Sequence, residues 1–169
     1  MSDVNVTVSG TSIGVQVGPQ SYYGSFYSTQ DQTNAGATSV NKMTYNTTDF
    51  SNGVSIVSNS RITMANAGIY NIQFSAQFDK TDSGDDKVDI WLCKNGSNVA
   101  NTNTEMTLVG NNGKHVAAWN FFVNAAAGDY FELCWHSDDT NVFINYVAAQ
   151  NTPTRPAIPS VILTVNKVG

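Results

Sequence analysis

Short runs of β-branched and aromatic residues recur along the whole chain with turn residues between them, and that rhythm limits the fold more than any other feature. Strands are expected at Lys42 to Tyr45, Val54 to Val57, Arg61 to Met64, Tyr70 to Phe78, Val88 to Lys94, Thr104 to Val109, His115 to Val123, Tyr130 to Trp135, Val142 to Val147 and Val161 to Val168. Asn52-Gly53, Asn95-Gly96 and Asn112-Gly113 fall in the gaps, where Asn and Gly most easily adopt a positive backbone angle. No long window keeps a helical apolar period, so the class is all-β. Many short strands without helices make a sandwich or a barrel.

Strand faces say more than strand existence. In Tyr70 to Phe78 the apolar residues take one face, and the other carries Asn71, Gln73, Ser75 and Gln77 without a charge. A solvated face usually recruits Lys or Glu. In His115 to Val123 both faces are apolar, with Val116, Ala118 and Phe122 on one and Ala117, Trp119, Phe121 and Val123 on the other. Val161, Leu163 and Val165 stand opposite Ile162 and Thr164 in the same way. One side of each strand can be core, and the second needs another cover. With no helix to supply it, self-association through this sheet is expected.

The first residues form a separate pattern. Val4, Val6 and Val8 alternate with polar residues, Ser9 to Ser12 interrupt, and Ile13, Val15 and Val17 resume the alternation before Gly18-Pro19. Residues 1–19 are therefore expected to be a β arm or hairpin and residues 20–169 one domain, which suits a chain of 169 residues.

Composition excludes several roles. Only 12% of residues are charged, the net charge is -5, and six Lys and two Arg are scattered, so no phosphate-binding footprint is expected and nucleic acid is not a partner. No apolar stretch is long enough to span a bilayer, and Met1-Ser2-Asp3 lacks the basic and apolar regions of a secretory signal, so synthesis in a cytosol is expected and a membrane is not. His115 and His136 are the only histidines, and neither stands beside a nucleophile elbow or a phosphate loop, so no catalytic residue is named and no enzyme is expected.

Two other clusters leave alternatives open. Asp82, Asp85 and Asp86 lie close together on a Gly-containing loop and offer hard oxygen ligands for calcium, but their spacing is not that of the known calcium loop and Lys80 and Lys87 sit among them, which suits a solvated acidic loop. No other cofactor is expected. Cys93 and Cys134 are either small semi-buried residues or a cross-strand pair, since both face outward if Val88, Ile90 and Leu92, and Phe131, Leu133 and Trp135, face the core. Tyr22, Tyr23, Tyr27, Phe50, Phe143 and Tyr146 offer a stacking surface for a glycan or a protein, or simply close the ends of the fold.

The ordered set Ala67-Gly68-Ile69-Tyr70, Leu92-Cys93-Lys94-Asn95-Gly96 and Ala127-Gly128-Asp129-Tyr130, with a closing strand over Ser160 to Val168, resembles the tumour necrosis factor and complement globular-head superfamily. That resemblance implies a two-sheet antiparallel jelly-roll sandwich of about ten strands. It also implies a homotrimer, with Asn71, Gln73, Ala117, Trp119, Phe121, Val123, Ile162 and Thr164 at the interface. The strands carrying Cys93 and Cys134 would be neighbours in one sheet.

Runs such as Val40-Asn41-Lys42-Met43-Thr44 and Ala117-Ala118-Trp119-Asn120-Phe121-Phe122 further resemble virion structural proteins of tailed, especially marine, bacteriophages. The expectation is a trimeric capsid decoration or cement protein, made in the host bacterial cytoplasm and resident in the virion. Val4, Val6, Val8, Ile13, Val15 and Val17 would dock it to the major capsid protein or another virion protein. The alternative is a receptor-binding tip or short fibre that presents loops to a host surface glycan.

Overall fold

Alternation at period two becomes strands throughout. The computed structural model describes residues 20–169 and, nearer the start, the backbone of two paired strands. These are β1 (Val4–Ser9) and β2 (Ser12–Val17), an antiparallel hairpin that opposes Val4 with Val17, Val6 with Val15 and Val8 with Ile13. The side chains of those six expected docking residues lie outside the described residues.

The body continues with β3 (Tyr23–Ser28), β4 (Gln32–Thr33), β5 (Asn41–Lys42), β6 (Thr47–Asn52), β7 (Val54–Val57), β8 (Arg61–Met64) and β9 (Gly68–Lys80). After these come β10 (Asp86–Lys94), β11 (Ser97–Asn98), β12 (Thr104–Leu108), β13 (Lys114–Ala125) and β14 (Tyr130–His136). The chain closes with β15 (Val142–Ile144), β16 (Gln150–Asn151), β17 (Thr154–Arg155) and β18 (Val161–Lys167). No helix occurs among the described residues. At the β10–β11 hairpin Asn95 and Gly96 take φ of 50° and 83°, the left-handed pair that a tight hairpin turn requires.

Two antiparallel sheets face each other. In the first, β10 lies between β14 and the β11 and β12 strands, and β14 continues to β8 and β7, with β5 beside its far end. In the second, β9 lies between β13 on one side and β18 and β15 on the other, and β18 continues to β3 and β6. Tyr70, Ile72, Phe74, Ala76 and Phe78 of β9 and Val161, Leu163 and Val165 of β18 point inward and are buried. They meet Ile62, Val88, Ile90, Leu92, Phe131, Leu133 and Trp135 from the other sheet. Phe78 and Trp135 make an edge-to-face contact across the core, with ring centroids 5.4 Å apart.

β9 runs the length of the sandwich and so defines its two poles. At the near pole, where β9 begins, the Lys167 amide donates to the Tyr22 carbonyl at 2.8 Å and the Ile69 amide to the Gly169 carbonyl at 2.9 Å. At the far pole, where β9 ends, the Gly84 turn leads into β10. The sandwich agrees with the expected architecture, and two of its six-residue strands were not expected. β3 and β6 pair with each other, and β3 pairs with β18, although Thr47 to Asn52 has no apolar face. The expected strand over Lys42 to Tyr45 is instead β5 and an irregular continuation tied to Leu133 through the Met43 amide.

Candidate functional site

The outer face of the second sheet is unusual in composition. In-register pairing lays out rows across it: Ala118, Ser75, Ile162 and Tyr27; then Asn120, Gln73, Thr164 and Ser25; then Phe122, Asn71, Asn166 and Tyr23. None of these residues is charged. Amides and hydroxyls knit the rows together, as in Asn120 Nδ2 to Asn71 Oδ1 at 3.0 Å. Large apolar side chains stand on the same face in water, Phe122 at 66% exposure and Ile162 at 41%. At the rim, Lys114 pairs with Asp79.

The expected interface set is split by this geometry. Asn71, Gln73, Ile162 and Thr164 lie on the outer face as expected. Ala117, Trp119, Phe121 and Val123 turn inward, because β13 pairs Ala117 with Ala76, Trp119 with Phe74, Phe121 with Ile72 and Val123 with Tyr70, all inward residues of β9. Trp119 meets Phe74 edge-to-face at 4.8 Å. The outward residues of β13 are Val116, Ala118, Asn120 and Phe122. Among the described residues β13 is also an edge strand, paired with β9 alone, and Trp119, Phe121 and Val123 are partly covered.

The acidic loop gathers only two of the three residues expected to hold calcium. The structure brings Asp82 and Asp86 together with Asp139, whereas the Asp85 carboxylate turns away to accept from the Gly110 amide at 2.8 Å. The fully buried Lys80 ammonium pairs with Asp86 and lies 3.8 Å from Asp82, so a cation of the chain's own serves these two carboxylates. Burial of the lysine opposes its charge, yet the hydrogen bond and field of Asp86 outweigh that and raise its pKa. Burial, then the nearby Asp139, raises the Asp82 carboxyl above its usual range. The Asn141 amide, donating at 2.7 Å, holds Asp139 below it. The cluster closes the far pole.

Cys93 and Cys134 are joined in a disulfide with Cα atoms 6.5 Å apart. Both lie on the outer side of their sheet as expected, yet both are buried. Beside them the buried Glu132 accepts from Ser60 Oγ at 2.8 Å and pairs with Lys42.

Next to the disulfide lies a groove of about 600 Å³ that the sequence did not disclose. Trp91 and Asp89 of β10 and His136 of β14 line it from the sheet, and Asn98, Asn101 and Asn103 line it from the segment joining β10 to β12. Trp91 Nε1 donates to Asn98 Oδ1 at 2.8 Å, and Asn103 Nδ2 donates to Asp89 Oδ1 at 2.9 Å. His136 Nε2 lies 3.0 Å from the Ala37 carbonyl, and its Nδ1 lies 3.8 Å from Asp89. The other histidine, His115, is exposed on β13. The aromatic set expected as a stacking surface is dispersed. Tyr23 and Phe50 meet on the outer face at 5.9 Å, Tyr22 packs at the near pole under Lys167, Phe143 lies on β15, and Tyr146 follows its end.

No family profile matches the chain, and no curated protein matches it. Solved structures do. The crystal structure of murine APRIL at pH 8.5 superposes with a TM-score of 0.54 at 8% identity, over 88% of this chain and 100% of that one. The fold is a TNF-like jelly roll. A second structure of murine APRIL, at pH 5.0, gives a TM-score of 0.55 at 7% identity over the same shares. At that identity the likeness to these TNF-like jelly rolls is one of backbone path alone, so the surfaces of this chain are judged on its own residues.

Proposed function

We propose that the chain is a structural component of a bacteriophage particle: a homotrimeric capsid decoration or cement protein, anchored by its N-terminal hairpin to the major capsid protein or another virion protein. The observation that carries this reading is the uncharged outer face of the second sheet, where Phe122 and Ile162 stand exposed among amides and hydroxyls. Each such side chain contributes about 1.5–3 kcal/mol when moved from water into an apolar contact. Copies of the chain suit this face, because the β13 edge with its partly covered Trp119 and Phe121 lies alongside it. An edge strand of that length needs cover. A ring of three would place the edge of one copy on the face of the next, in keeping with the trimer that the resemblance implies.

The hairpin suits docking by strand addition, in which backbone hydrogen bonds and alternating side chains act together. Three hairpins per trimer multiply the attachment by avidity. The bacteriophage setting, with synthesis in the host cytoplasm, rests on the sequence runs alone. The test is removal of residues 1–19: the shortened protein is expected to keep the mass of a trimer and to lose binding to capsids stripped of the native chain. Undiminished capsid binding by the shortened protein would sink the docking role.

A further inference from the structure

We infer that the Trp91 groove is a binding site for a neutral saccharide. It lies on the outer side of the first sheet, the opposite surface from the face proposed to meet other copies, so an assembled trimer would leave it open. The inference therefore rests on neither the trimer nor the capsid reading, and it can fail without them.

The lining has the chemistry of a sugar site. A pyranose carries a flat patch of C–H groups and a rim of hydroxyls that both donate and accept. An indole supplies an apolar plate for the patch, and side-chain amides answer hydroxyls because each offers one acceptor and two donor hydrogens. Trp91 is half-buried and fixed by its bond to Asn98, so its ring plane is set before a ligand arrives. Asp89 is fixed in turn by Asn103, and the Asn98, Asn101 and Asn103 amides are all exposed in the groove. Thr102 holds the segment that carries them, donating to the Val99 carbonyl at 2.7 Å and accepting from the Leu92 amide at 3.1 Å.

Other ligand classes fit less well. An anion such as a phosphate would face the Asp89 carboxylate with no Lys or Arg in the lining. A wholly apolar ligand would strip water from the remaining donor and acceptor sites of the amides and Asp89, which costs more than the indole contact returns. The volume of about 600 Å³ admits one or two sugar rings. One stacking plate and a few hydrogen bonds predict millimolar affinity for a single ring.

The test is saturation-transfer NMR on the full chain, with the methyl glycosides of glucose, galactose, mannose and N-acetylglucosamine as probes. At least one glycoside is expected to receive saturation at its ring C–H protons. Trp91→Ala should abolish the transfer and Trp91→Phe should retain part of it. Asn101→Gly, which suits the positive φ of 62° at that residue, should weaken it several-fold without unfolding the protein. The inference is overturned if no glycoside receives saturation, or if transfer persists unchanged in Asn101→Gly or in a folded Trp91→Ala protein.

Discussion

The Asp129 carboxylate ties together two hairpins. It pairs with the Lys94 ammonium at 2.7 Å, accepts from Asn95 Nδ2 at 2.8 Å, and accepts from the Ala126 amide at 2.8 Å. Asn95 in turn accepts from the Tyr130 amide at 2.9 Å, so the β10–β11 turn and the turn before β14 share one network. The Lys94 hydrogen bond, then those from Asn95 and Ala126, lower the Asp129 pKa to about 2. A depressed carboxylate stabilises the fold above the ordinary carboxylate range, and that contribution is lost as pH falls through about 2. Melting temperature followed by circular dichroism should therefore drop across that window in the native protein, and drop less in Asp129→Asn. An equal drop in both would show that the carboxylate adds nothing.

Among the elements, β9 and β13 mark the boundary of what sequence can disclose. The faces of β9 were legible because Tyr70, Ile72, Phe74, Ala76 and Phe78 alternate with polar residues. Those of β13 were not, because Val116 and Phe122 are as apolar as Trp119 and Phe121, and only the register with β9 decides which set is core. β3 and β6 escaped notice since Ser25, Thr47, Thr48 and Asp49 carry no apolar rhythm. Asp139 and the asparagines around Trp91 are joined to their partners by the fold, at separations no local pattern reveals. The β10–β14 link was one of two readings the sequence left open, and the register decides it: Trp91 opposes Cys134 and the disulfide bridges diagonally to Cys93. Closing a loop between residues 41 apart is expected to stabilise the fold by about 2–4 kcal/mol. Denaturant unfolding should show that loss on reduction, and a Cys93→Ser/Cys134→Ser double variant should show the same loss without reductant.

For the whole molecule, the outer face of the second sheet decides whether the chain acts alone. Phe122→Asp with Ile162→Asp puts two carboxylates into the proposed seam while leaving the core untouched, since both side chains point away from it. Light scattering should report three times 18.2 kDa for the native protein and a single chain for the double variant, with the melting of the isolated domain little changed. A native protein of single-chain mass at micromolar concentration would remove the trimer. The poles of the sandwich set a further rule, one about engineering. Tyr22, just before β3, and Lys167, at the end of β18, are hydrogen-bonded at the near pole, so bulk added there would crowd β3 and β18 together. The Gly84 turn sits at the other end of β9 with open space around it. A peptide spliced there would stand at the pole opposite Tyr22 and Lys167, which makes that turn the natural place to display one.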